Sequence, residues 1–185
     1  MSELFKEYPV LGDEKIIMHR MTLSDVKALE QMCANPTVYR YLPTFLYEQK
    51  YEDKREVIEK MDAECFDTKE SLLLGIYAKE NPDLLMGIGE VYAYEPDRKK
   101  VSIGCRLDEP YWHTGYGTRA ETLLKNYLLD ECGLKIITGH VMKDNIASKK
   151  AAEKTGFVLK YPGCIEDWGF DKPVEVDKFV IKIYD

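Results

Sequence analysis

Residues 111–124, YWHTGYGTRAETLL, place two glycines one position apart where an extended run gives way to a helical pattern. Gly115 and Gly117 admit backbone angles and a close approach that a side chain would block. With the positive end of a helix behind such a turn, backbone N–H groups can converge on phosphate oxygens. The segment therefore demands a strand before it and a helix after it, and it reads as an anion cradle.

Several ligands could use such a cradle. Residues Gly115 to Ala120 also satisfy the loose dinucleotide pattern GxGxxG/A, but that fold wants the turn after an early strand, with an acid about 20 positions on for a ribose. Here the turn is late, and the next strand-like run, KIITGHVM, has no acidic end. The Walker pattern GxxxxGK[ST] is absent. The two glycines alone would fit an empty strand-to-helix turn equally well.

The rest of the chain is read from its periodicities. Ile16, Ile17 and Met18 are extended, and a helix capped by Thr22 or Ser24 follows, with Val26, Leu29, Met32 and Cys33 on one face and Asn35-Pro36 as its stop. A second amphipathic helix is expected over 48–66, with Val57, Ile58 and Met61 inward. Strands are expected over 71–78, 85–94 and 100–107, joined by NPD and EPDRKK as an antiparallel meander. The helix after the glycine turn, 118–129, carries Ala120, Leu123, Leu124, Tyr127 and Leu128 on one stripe and ends at Cys132-Gly133. A buried strand, 135–141, precedes a helix capped by Asp144 or Asn145 that runs to Lys154 and ends at Thr155-Gly156. Short strands over 157–160, 164–170 and 176–184 complete one α+β domain, residues 1–185.

A formal net charge of −7 argues against broad binding to nucleic acid or an anionic membrane and suits a cationic partner. Five scattered cysteines, without CxxC or metal-ligand spacing, read as free thiols of a reducing cytosol, and no metal is expected. No apolar run could span a bilayer and MSELFKEY lacks a secretory signal pattern, so a cytoplasmic protein is expected.

The glycine turn with its helix, the strand KIITGHVM, and DNIASKKAAEKTGF together resemble the GNAT acyltransferase superfamily, in particular its RimJ/RimL-like protein N-acetyltransferase branch. MHRMTLSDVKALEQMCANPTVYRYL is similar to that family's first strand and helix, so the resemblance covers most of the chain. It implies a GNAT fold, a mixed, mostly antiparallel sheet splayed at its centre and flanked by helices, with acetyl-CoA as the cosubstrate. By resemblance, His113, Thr114, Gly115, Tyr116, Gly117 and Thr118 bind the pyrophosphate, and Asn145 and Ser148 lie beside the pantetheine arm. The strand holding Ser102 should part from KIITGHVM and leave backbone groups of Cys105, Arg106 and Leu107 to pair with pantetheine. Trp112 stands where the strict motif has Gln or Arg.

Proton transfer departs further from the family. Ser102 occupies the place of its usual glutamate and Ala152 that of its common tyrosine. Glu90 is the expected replacement base, acting directly or through water, with Glu166 and Asp167 as weaker candidates; Ser148 is the expected donor to the leaving sulfur. Each has a bland alternative, a solvent-facing strand carboxylate for Glu90 and a helix cap for Ser148 and Asn145. Cys105 reads as a small buried strand residue rather than an acetylated nucleophile, so direct transfer is expected. Lys149 and Lys150 are either contacts to the 3′-phosphate or solvated lysines, and Tyr39, Tyr41 and Tyr47, near Pro43, either line the acceptor mouth or pack helices. His113 and His140 receive no proton-transfer role, since one lies in the phosphate loop and the other in a strand read as buried.

The resemblance implies transfer to a primary amine, a protein or peptide N-terminal α-amine first. A small amine such as a polyamine, amino acid or aminoglycoside, or a noncatalytic acyl-CoA-binding regulatory module, are the alternatives. It also allows a homodimer.

Overall fold

A computed structural model describes residues 3–184. Eight strands form one sheet in the order β1-β2-β3-β4-β5-β6-β8-β7, covered by helices on both faces. The first strands are β1 (Leu11–Gly12), a short edge absent from the sequence reading, and β2 (Ile16–His19). Helices α1 (Val26–Ala34), α2 (Pro36–Tyr39) and α3 (Lys54–Met61) follow. The meander β3 (Ser71–Ala78), β4 (Asn81–Glu95) and β5 (Lys100–Leu107) leads to α4 (Tyr116–Asn126). Then come β6 (Ile136–Met142), α5 (Ile146–Lys154), β7 (Val158–Glu166) and β8 (Val174–Lys182).

The period of two along β3 sorts its side chains into two cores, which is why that strand is buried throughout. Leu73 and Tyr77 pack with Leu29 and Met32 of α1 and Val57, Ile58 and Met61 of α3. Leu72, Leu74 and Ile76 face the opposite way, toward Ala120 and Leu124 of α4 and the Tyr127–Leu128 turn behind it. Of the expected helical stripes, Leu29, Met32, Val57, Ile58, Met61, Ala120, Leu124, Tyr127 and Leu128 are buried, while Val26, Cys33 and Leu123 are half-buried against them.

Three expectations fail for local reasons. The helix expected over 48–66 is broken: Tyr47–Gln49 is a 3-10 turn, α3 begins only at Lys54 behind the Asp53 cap, whose carboxylate accepts the Arg55 N–H at 2.8 Å, and Asp62–Phe66 is a wider π turn. Glu48 lies in that 3-10 turn, with its carboxylate on Arg106, 58 residues along the chain. The NPD segment is not the hairpin turn, since the chain reverses at Lys79-Glu80; Pro82 lies instead in an irregular stretch of β4, where its missing N–H is tolerated. The strands expected over 157–160 and 164–170 are one bulged strand, β7, kinked where Gly163 adopts φ +66° and its N–H reaches Asp177 at 2.9 Å, and residues 167–170 leave the sheet.

The break that positions the site lies at the sheet centre. β5 and β6 pair in parallel only from Lys100↔Ile136 to Ser102↔Thr138. Beyond Ser102, β5 stays with β4 as far as Leu107↔Gly87, while β6 stays with β8 along its length. The expected splay is therefore present.

Candidate active site

A cleft of about 1600 Å³ follows the splay and is lined from both faces of the sheet. At one end the turn after β5 delivers α4. Gly115 caps that helix at φ +86°, where an added Cβ would meet nothing within 4 Å, so the backbone angle and not crowding requires glycine. His113, just before it, is also left-handed, at φ +61°. The first-turn amides of α4 have no intrahelical acceptor, as at any helix start, and His113, Gly115, Gly117 and Thr118 line the cleft.

Thr114 and Tyr116 lie off the lining and shape the turn instead. The Thr114 hydroxyl donates to the Tyr111 carbonyl at 2.6 Å, and the Tyr116 N–H reaches the same hydroxyl at 3.4 Å. Trp112 has a job of its own, donating from Nε1 to the Leu107 carbonyl at 2.7 Å. One lone pair of a carbonyl expected to be wholly free is thereby used.

Helix α5 supplies the facing wall. Asn145 caps it by accepting the Ser148 N–H at 3.2 Å, and Asn145, Ser148 and Lys150 line the cleft. Among the described residues the Ser148 hydroxyl has no protein partner. Lys149 pairs with Asp177 at 2.5 Å, so the two lysines have separate fates. Cys105 and Glu121 line the same end; burial pushes the Cys105 thiol well up, with the Glu121 charge adding to it, which keeps the sulfur protonated. Burial also raises the Glu121 carboxyl, to about 7, against the hydrogen bond from Thr155.

The other end is built from side chains. Arg106, on the face opposite Cys105, is buried and grips Glu48 through Nε and Nη2 at 2.5 Å each, while Nη1 reaches Glu90 at 2.7 Å. Tyr39 donates to Glu48 at 3.2 Å. Burial pushes the Glu90 carboxyl up and the Glu48 charge adds to the rise, both opposed by Arg106; the paired glutamates in turn outweigh burial and raise the Arg106 guanidinium. Glu90 lines the cleft and is buried and ion-paired, not solvent-facing. Ser102, in the place of a family glutamate, is bonded to Thr138 at 2.7 Å across the last rung before the splay.

Tyr41, Pro43 and Tyr47 line this end, whereas Tyr39 packs among α1–α3. The cleft rims are joined there: the Thr44 N–H and hydroxyl both donate to the Trp168 carbonyl, at 2.9 and 3.2 Å. Gly169 follows at φ +80°, and a Cβ on it would fall 2.0 Å from the Thr44 hydroxyl. His140, read from sequence as buried, lines the cleft with its side chain 24% exposed and Nδ1 3.1 Å from Glu166. The Glu48–Arg106 grip and the His140–Glu166 pair were missed from sequence; only the alternation placing His140 two positions after Thr138 hinted at the second.

The sequence matches the Acetyltransferase (GNAT) domain family over residues 15–158. It is 24% identical over 152 residues to the uncharacterized N-acetyltransferase YoaA of Bacillus subtilis (strain 168), covering 81% of this chain and 83% of that protein. The fold is similar to that of RimL, a ribosomal L7/L12 alpha-N-protein acetyltransferase solved with coenzyme A (TM-score 0.76, 16% identity, 95% of this chain and 98% of that one). It is equally similar to spermidine N-acetyltransferase from Vibrio cholerae solved with CoA and spermine (TM-score 0.75, 15% identity, 92% and 96%).

Proposed function

We propose, for a chain that belongs to the GNAT acetyltransferase family, direct transfer of an acetyl group from acetyl-CoA to a primary amine, first of all a protein or peptide N-terminal α-amine. The observation that carries this is the splay after Ser102 opening onto the amide-rich start of α4. Pantetheine enters the splay beside β5, the pyrophosphate meets the α4 amides, and Asn145 and Ser148 face the thioester end. Ser148, whose hydroxyl is unengaged, donates to the departing sulfur. Glu90, expected from sequence to be the base, is held at Oε2 by Arg106, and we assign it instead the charge that draws the acceptor ammonium.

A second reading, a small cationic amine, is favoured by the lining of the acceptor end, where Glu64, Glu70, Glu166 and Asp167 stand among Tyr41 and Tyr47. A reducing, cytoplasmic setting fits five cysteines that are all unpaired. No described helix is long and apolar enough to cross a membrane.

The test is thiol release from acetyl-CoA against peptides with a free N-terminus, peptides with a blocked N-terminus and internal lysine, and spermidine. Turnover confined to free N-termini is the expected result. Turnover on spermidine alone would replace the first reading with the second, and release no faster than buffer for every amine would overturn acetyl transfer to amines.

A further inference from the structure

The strand register places a further titratable group on the face that carries Glu90. Glu90 and Tyr92 are two apart on β4, Tyr92 lies opposite Ser102 on β5, and Ser102 lies opposite Thr138 on β6, its hydroxyl bonded to that of Thr138. Residues two apart on a strand share a face, so His140 follows Thr138 onto it, just past the point where β5 and β6 part. It lines the cleft at that point.

Its surroundings fix one tautomer. Nδ1 lies 3.1 and 3.2 Å from the two oxygens of Glu166, and a carboxylate can only accept, so Nδ1 carries the proton and the neutral ring offers Nε2 as a lone pair. Among the described residues Nε2 has no protein partner, and no buried side-chain nitrogen or oxygen lacks one, so Nε2 opens onto the cleft. Glu166 is itself held, by Trp168 Nε1 at 2.8 Å and Lys178 Nζ at 2.8 Å. Burial pushes its carboxyl up, but the donors from Lys178, Trp168 and His140 outweigh burial and keep it an anion.

We propose that His140 is the general base of the reaction, with Glu166 as its positioning residue; this rests on the acetyl-transfer reading above. Arg106 occupies Oε2 of Glu90, which leaves Glu90 the charge that draws the ammonium and His140 the group that takes its proton. Nε2 accepts one proton from R–NH3+, and the freed nitrogen lone pair attacks the thioester carbonyl carbon. The N–C bond forms, the C–S bond breaks as the tetrahedral intermediate collapses, and the second nitrogen proton replaces the one that the Ser148 hydroxyl gives to the sulfur, which leaves as the CoA thiol. The imidazolium returns its proton to solvent. The other charged or titratable groups lining this end are Arg40, Tyr41, Tyr47, Lys50, Glu64, Cys65 and Glu70 from the segments before β3, Glu90 and Tyr92 from β4, Arg106 from β5 and Asp167 after β7, with Lys178 of β8 behind Glu166.

The experiment measures kcat, KM and pH profiles for His140→Gln, Glu166→Gln and Glu90→Gln with acetyl-CoA and whichever of a free-N-terminus peptide or spermidine the wild type acetylates. His140→Gln is expected to lose about a hundredfold or more in kcat, to keep its acetyl-CoA affinity, and to lose the acid limb of the kcat/KM profile. Glu166→Gln should shift that limb without abolishing it, and Glu90→Gln should act mainly on the acceptor KM. A His140→Gln protein with wild-type thermal stability, a kcat within twofold of wild type and an unchanged profile would overturn the proposal and leave acetyl transfer standing. A wild type inactive on both amines would instead remove the reading beneath it. Should His140→Gln fold poorly, Trp168→Phe, which removes one donor to Glu166, must still displace the acid limb, and an unmoved limb there counts equally against the dyad.

Discussion

The two ends of the cleft are made of different materials. The end proposed for the cofactor is mostly backbone: the α4 amides behind Gly115, the unpaired edge of β5, and the start of α5 beneath Asn145. The end proposed for the acceptor is side chains converging from distant segments, Glu48 on Arg106 across 58 residues and Glu166 on His140 across 26. A backbone site tolerates substitution wherever the backbone angles survive, which is how Trp112 can replace Gln or Arg and hold the Leu107 carbonyl instead. A side-chain site fails when one partner is removed, because the other is left charged in a dry place.

That contrast makes its largest prediction at Glu48. Glu48→Ala strands Arg106 with only Glu90, and unfolding measurements should show a loss of about 3–5 kcal/mol. A loss under about 1 kcal/mol would mean that water enters the acceptor end freely, and the comparison would collapse.

Next in size are the reacting groups. Ser148→Ala should lower kcat by about a hundredfold, the lower end of what a positioned proton donor contributes, with acetyl-CoA affinity nearly unchanged. Equal losses in kcat and affinity would make it a cofactor contact alone. At the cofactor end, Gly115→Ala meets no clash and carries only the cost of φ +86°, about 1–2 kcal/mol of stability. Calorimetry should show acetyl-CoA binding weakened by no more than about tenfold, and a complete loss of binding would show that the turn cannot flex at all.

A further effect is a pH dependence at Glu121. Burial raises its carboxyl from the usual 4.5 to about 7, so its share of stability is present below pH 4.5 and is lost as the pH rises to about 7. Glu121→Gln should flatten that decline and unfold at a higher temperature than wild type at pH 8. Parallel melting curves from pH 4 to pH 8 would rule it out.

The same difference of materials explains what was legible in the chain. Strands 71–78 and 100–107 coincide with β3 and β5, and the stripe from Ala120 to Leu128 buries, because period and glycine position are local signals. The Asn145 cap and the glycine turn were legible for the same reason. Glu48 offered only a plausible helix position, since nothing nearby announces a partner on β5. His140 was set aside as a lone histidine because Glu166 becomes its neighbour only through β8, which pairs with β6 and β7 on either side. The splay was expected from family resemblance, whereas its polar lining could be read only once the strands were in register.

The Thr44–Trp168 link ties the rim of the cleft to the His140–Glu166 pair. It joins two loops outside the sheet, and Trp168 also donates from Nε1 to Glu166, the group proposed to position His140. A Cβ at Gly169 would fall 2.0 Å from the Thr44 hydroxyl, on top of the strain of φ +80°, so a substitution there must displace the Thr44 side chain. An engineer wishing to change the rim alone would therefore begin at 40–46, since a change at Trp168 also reaches Glu166.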